Sequence, residues 1–175
     1  MNRDQIKHIT NDHYRKIKKH LKRVAGDFDV EAIHQFRVEY KKLRGFFRLL
    51  SHQHDAAGEI KISKKLKQVY NVSGSIRDLQ LQQLRILEAT KHESKKPQAY
   101  LNLLQKEINQ LNQELSEILL ENPAAESKKK TDASIPDEFH LSELQSFIQK
   151  KWMAINTIIV PGHFSDDGIH SIRKS

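Results

Sequence analysis

The helical character of this chain is clearest in residues 33–50, which read IHQFRVEYKKLRGFFRLL. Large apolar side chains recur there at steps of three and four residues, at Phe36, Tyr40, Leu43, Phe47 and Leu50. This spacing places all of them on one face of an α-helix. Because burying each of them contributes about 1.5–3 kcal/mol, we expect this face to turn toward a core.

Basic side chains share the opposite face of the same helix. At about 100° per residue, this basic stripe comprises His34, Arg37, Lys41, Arg44 and Arg48. Acidic side chains are nearly absent from it, whereas solvated surfaces usually mix both signs. Like charges one turn apart repel, and the planar guanidinium of arginine suits bidentate contacts with phosphate. The pattern therefore indicates an anion-binding face. Since the stripe should be exposed, replacing Arg37 and Arg44 is expected to leave unfolding nearly unchanged.

Helical spacing continues through most of the chain, which contains only 6 Gly and 4 Pro. It predicts an all-α helical bundle. A first helix is expected to end near Gly26, and a long helix is expected to begin around Pro97. Between them, a lysine-rich third element is expected to kink or break at Gly74 before a fourth helix.

The chain divides into three predicted segments. Residues 1–121 form a first helical bundle, and residues 138–175 begin a second one. Residues 122–137 hold two prolines, small residues and a lysine run, so they are interpreted as a flexible connector.

An internal repeat links the two predicted bundles. The segment FDVEAIHQFR, residues 28–37, aligns without gaps with FSDDGIHSIR, residues 164–173. The match includes both the apolar positions and the spacing of His34 and Arg37, which predicts a duplicated unit. Because the second copy stops at Ser175, we expect a truncated second unit. Either its residues 138–175 associate with another copy of the chain, or the chain is a fragment of a longer protein.

Composition narrows the function further. The chain of 175 residues has a net charge of +8, and residues 1–96 alone hold 22 basic and 11 acidic side chains. This excess favours an anionic partner. The absence of cysteine excludes disulfides, a thiolate zinc site and a cysteine nucleophile, and is typical of a reducing compartment. With no apolar run long enough to span a membrane, a cytoplasmic protein is expected.

Catalysis and nucleic-acid binding are the two alternatives to binding of a simple polyanion. Catalysis is not indicated, because no glycine-rich phosphate loop, nucleophile elbow or paired-carboxylate helix is present. A metal site at His52 and His54 lacks carboxylate partners at ligand spacing, so neither a metal nor a cofactor is expected. Nucleic-acid binding stays open as the alternative, although the aromatic side chains lie on the core face rather than beside the cations, where they could stack on bases.

Three segments resemble the CHAD domain, a histidine-containing α-helical domain. Residues 33–50 resemble its HxxRVxxRRLR helix, GSIRDLQ at 74–80 resembles its LGxxRDLDV segment, and IHSIRK at 169–174 resembles a second copy of the first motif. The resemblance implies two similar bundles around a positively charged channel that binds inorganic polyphosphate without catalysis. It also implies a triphosphate-tunnel phosphatase as a partner and an association with polyphosphate granules.

The resemblance assigns two walls to the channel. Its first wall would comprise His34, Arg37, Lys41, Lys42, Arg44 and Arg48, and its second wall His170, Arg173 and Lys174. Arg77 matches the family's arginine, while Asp78 would orient a neighbouring arginine. Lys61 and Lys65 complete the predicted site. Lys41 and Lys42 replace paired arginines, Ser73 replaces a leucine and Gln80 replaces an acid, so weaker contacts are expected here.

Overall fold

A computed structural model describes residues 1–52, 60–93, 95–160 and 165–174, with side chains at all of these positions except 141, 171, 173 and 174. Within these ranges it contains no β-strand, which confirms the all-α prediction. The α-helices of the described residues are α1 (Arg3–Asp27), α2 (Val30–His52), α3 (Lys64–Ala89), α4 (Gln98–Leu120), α5 (Pro123–Asp132), α6 (Leu141–Ile159) and α7 (Asp166–Lys174).

The core lies among α1, α2, α3, α4 and α5. Helices α1 and α2 pack along each other, α3 and α4 form a second pair, and α2 joins the two pairs by packing on α3. The apolar face predicted on α2 is buried, with Phe36 and Leu43 completely inaccessible to solvent. This burial fixes the rotation of α2 and leaves its basic stripe, apart from Arg37, exposed to solvent.

A short turn joins α1 to α2. Helix α1 continues past Gly26 to Asp27, and Phe28 ends it in a left-handed conformation with φ of 52° and an amide that donates to the Val24 carbonyl at 3.0 Å. The Asp29 carboxylate then accepts a hydrogen bond of 2.6 Å from the Ala32 amide. An acidic side chain therefore caps the beginning of α2.

The segment predicted to be a flexible connector is instead the docked helix α5. It packs against α1 and α3 and buries Ser127 and Thr131 completely. The Tyr14 hydroxyl lies 2.8 Å from the Ser127 hydroxyl and accepts a hydrogen bond from Thr131. The backbone amide of Ser63 also donates to Ser127. Prediction failed here because a helix that packs through small and hydroxyl side chains lacks the large apolar residues that mark a core face.

Helices α6 and α7 extend from this bundle. Helix α6 packs on α2 and α7 packs on α6, but α6 buries none of its described side chains. The apolar side chains of α6 and α7 that remain exposed are Ile148, Trp152, Met153, Ile159 and Ile169. A search of the described residues finds no helix that is both long and apolar enough to cross a membrane.

Candidate anion-binding cleft

A cleft of about 360 Å³ opens between α2 and the beginning of α3. Its cationic residues are Arg44, Arg48, Lys61, Lys64 and Lys67. Its remaining lining residues are Tyr40, Phe47, Ile60 and Ile62, so none of the described residues around it is acidic. We call this group the α2–α3 cleft.

Two local features place the cations around the cleft. Tyr40 and Phe47 point into the core and are only 3 % and 2 % exposed, so Arg44 and Arg48 project along the outer side of α2. Ser63 caps α3, its hydroxyl accepting a hydrogen bond of 3.2 Å from the Leu66 amide. Cations in the first turn of a helix face the positive end of its dipole. The first turn of α3 contains no acid, so an anion in the cleft would relieve this repulsion.

Arg37 lies between α2 and α3 rather than on the open surface. Its Nη1 donates a hydrogen bond of 2.5 Å to the Tyr70 carbonyl, and its Cζ lies 4.3 Å from the centre of the Tyr70 ring. That ring stacks in turn on Tyr40, with 4.3 Å between the ring centres. The expectation that Arg37 is freely replaceable is therefore wrong, because its guanidinium joins the two helices.

Gly74 makes room for this guanidinium. A Cβ atom at position 74 would lie 2.5 Å from Nη1 of Arg37 and 3.0 Å from its Cζ. Helix α3 runs through Gly74, so the predicted break before a fourth helix is wrong, and the glycine serves close packing. The juxtaposition brings the first motif and the GSIRDLQ segment into contact.

Two predicted binding lysines are instead engaged in ion pairs outside the lining of the cleft. Lys65 pairs with Glu121, which follows α4, so the side chain faces away from Lys64. Lys42 donates to the buried Glu39 at 2.9 Å, and His13 lies 2.8 Å from the other carboxylate oxygen. Burial alone would raise the pKa of Glu39, but the hydrogen bonds from Lys42 and His13 outweigh it and lower the pKa below its ordinary value.

The remaining predicted residues occupy other parts of the surface. His34 and Lys41 are exposed on α2 outside the lining of the cleft, and Arg77 is half-buried on α3. Asp78 is exposed and forms no ion pair with a described arginine, so the structure gives it no orienting role. Lys64 and Lys67 were not identified from the sequence, because the packing of α3 decides which lysines of that helix face α2.

The second predicted wall is only partly described. His170 is exposed on α7, whereas the side chains of Arg173 and Lys174 lie outside the described residues, as does His54 of the candidate histidine pair. Helix α7 packs on α6, and no comparable packing joins it to α2 within the described ranges. Across those ranges, no group of three or more potential ligands is arranged to hold a metal ion.

Comparison with known proteins gives one family. The family model described as CHAD domain matches residues 8–175, which is nearly the whole chain. No curated protein and no solved structure matches the chain.

Proposed function

The chain belongs to the CHAD domain family, and we propose that it binds inorganic polyphosphate in the α2–α3 cleft. Members of this family are generally non-catalytic binding modules associated with polyphosphate. The observation that carries the proposal is the convergence of cations from α2 and α3 on one cleft whose described lining is free of acid. A flexible chain of phosphates could contact these cations together, because it presents a negative charge at every repeat.

Polyphosphate fits the cleft better than nucleic acid does. The aromatic lining residues Tyr40 and Phe47 are buried, so they offer no face on which a base could stack. The cations of the lining surround a groove of about 360 Å³. Charge density is then the property that the cleft can recognise, and it is higher in a bare phosphate chain.

The cleft predicts a strong dependence of affinity on salt. Five cations contact a ligand that occupies the α2–α3 cleft alone, and each phosphate contact contributes about 0.7 to the slope of log affinity against log salt. The expected slope is therefore about −3.5. Raising salt fourfold should weaken binding by roughly a hundredfold.

Two double variants with the same loss of charge test the proposal. Arg44→Ala with Lys64→Ala removes one cation of the cleft from α2 and one from α3. Lys42→Ala with Lys65→Ala also removes one cation from each helix, but these two lysines form ion pairs outside the lining of the cleft. We expect the first variant to bind long-chain polyphosphate at least about tenfold more weakly, equivalent to about 1.4 kcal/mol. The second should bind within about twofold of the unchanged protein, since its lysines make no contact in this proposal.

Isothermal titration at fixed salt measures both affinities, and thermal unfolding verifies that each variant is folded at the assay temperature. This check matters because Lys42→Ala removes one partner of the buried Glu39, which keeps His13. Equal weakening in the two variants would mean that net charge, and not the α2–α3 cleft, determines binding. A triphosphate-tunnel phosphatase as a partner remains a separate prediction.

A further inference from the structure

A second cleft, of about 240 Å³, lies between the end of α2 and α6. Its lining residues are Arg48, Ser51, His52, Phe147, Lys150 and Lys151. None of these described residues is acidic, and the cations come from both helices. We call it the α2–α6 cleft. The basic stripe identified from the sequence lies on α2 and does not include α6, on which Lys150 and Lys151 are adjacent in sequence.

Arg48 lines both clefts, so they are neighbours along α2. Arg44, Arg48 and His52 follow one another at intervals of one helical turn, which places about 12 Å of helix between the first and the last. A ligand that leaves the α2–α3 cleft past Arg48 therefore enters the α2–α6 cleft directly. The lysines of α6 lie at the position that such a chain would reach.

Few side-chain contacts join α2 and α6 among the described residues. Phe147 contacts the His52 ring edge-on, with 5.4 Å between ring centres, and the Ser146 hydroxyl lies 3.5 Å from Nε2 of His52. Lys151 lies 5.8 Å from the centre of the Phe147 ring, near the limit for a cation–π contact. Both lysines belong to a helix that buries none of its described side chains. An anion bound by Arg48 and these lysines would therefore add a bridge between α2 and α6.

We propose that the α2–α6 cleft is a second subsite, which binds further phosphates of a chain whose first part occupies the α2–α3 cleft. The inference rests on the proposed function and adds a dependence on chain length. Tripolyphosphate occupies the α2–α3 cleft alone, whereas a long chain spans both clefts and fastens α6 to α2. Binding at the second subsite is then intramolecular, which raises the affinity for long chains above that for short ones.

The test compares two variants and two ligands. Lys150→Ala with Lys151→Ala removes the cations of α6, and Lys106→Ala with Lys129→Ala is the matched control, since both of its lysines are exposed and line neither cleft. The ligands are inorganic tripolyphosphate and long-chain inorganic polyphosphate. The α6 variant should bind long chains at least about fivefold more weakly than the control and reduce the salt slope by about 1.4 for two lost contacts. Its affinity for tripolyphosphate should stay within about twofold of the control.

Amide hydrogen exchange gives an independent readout. Exchange across α6 should slow when long-chain polyphosphate binds the unchanged protein, and it should not slow with tripolyphosphate. Equal long-chain affinity in the α6 variant and its control, with binding still weakened in the Arg44 and Lys64 variant, would overturn the subsite alone. Failure of the unchanged protein to bind either ligand would overturn the proposed function, and the subsite with it.

Discussion

Replacing Gly74 with alanine is expected to destabilise the protein, although alanine is the better helix former. The reason is the position of Arg37, whose Nη1 lies 2.5 Å from the place of the new Cβ. The guanidinium is the end of a flexible side chain and can move away. Moving it breaks the hydrogen bond to the Tyr70 carbonyl and the contact with the Tyr70 ring.

The size of the effect follows from these contacts. A hydrogen bond from a charged donor contributes about 1.5–3 kcal/mol, and an exposed cation–π contact about 0.5–1 kcal/mol. Their loss costs about 2–4 kcal/mol together, and the gain in helix propensity on replacing glycine with alanine offsets about 1 kcal/mol. Gly74→Ala should therefore lower the free energy of unfolding by about 1–3 kcal/mol.

Urea unfolding followed by circular dichroism measures this difference. Gly45→Ala on α2 is the matched control, since nothing lies within 4 Å of its Cβ, and it should be stabilising by about 0.5–1 kcal/mol. In an Arg37→Ala background the cost of Gly74→Ala should vanish, because the clashing group is gone. A cost that persists in that background, or a stabilising Gly74→Ala, would refute the packing of Arg37 against Gly74.

Three further predictions concern other parts of the chain. Glu39→Gln should destabilise the protein by about 1–3 kcal/mol near neutral pH, because it removes a buried charged acceptor. Since the pKa of Glu39 is lowered in the folded protein, its contribution to stability is complete above the unfolded pKa and is lost as pH falls through the folded pKa. The free energies of unfolding of the variant and the unchanged protein, measured in urea, should therefore converge in acid. A difference that is independent of pH would contradict an ionised Glu39. Tyr14→Phe should cost about 1–2 kcal/mol by removing the bond to Ser127, and an unchanged unfolding midpoint would mean that α5 is not docked as described. Self-association through residues 138–175 remains a prediction. Trp152→Glu should weaken this association in sedimentation velocity, since Trp152 is 64 % exposed on α6. If the variant and the unchanged protein are both monomeric at high concentration, the prediction is contradicted.

The fold was predictable where large apolar side chains recur at helical spacing. The α2 face through Phe36 and Leu43 is buried as expected, because burial of such side chains dominates the energy of a helix face. Helix α5 was not predicted, because it packs through Ser127 and Thr131. Hydroxyl side chains indicate a core position only when their hydrogen-bond partner, here Tyr14, is known. The contact between Gly74 and Arg37 joins distant residues, so no local pattern could reveal it.

The candidate site was predictable in part for a related reason. Periodicity identified the outer face of α2, and with it Arg44 and Arg48, which line the cleft. It could not separate Lys64 from Lys65, because neighbouring residues on a helix differ by about 100° and only the packing of α3 decides which one faces α2. The sequence also did not identify Lys150 as a lining residue, since that depends on where α6 packs against the end of α2.

Competition between polyphosphate and duplex DNA tests the central claim most directly. Labelled long-chain polyphosphate is bound to the protein at fixed salt and displaced by each unlabelled polymer at equal phosphate concentration, in parallel with the Arg44 and Lys64 variant. Selective recognition in the α2–α3 cleft predicts that DNA displaces the label at least about tenfold less effectively and that the variant loses this preference. Equal displacement by both polymers, unchanged in the variant, would contradict it.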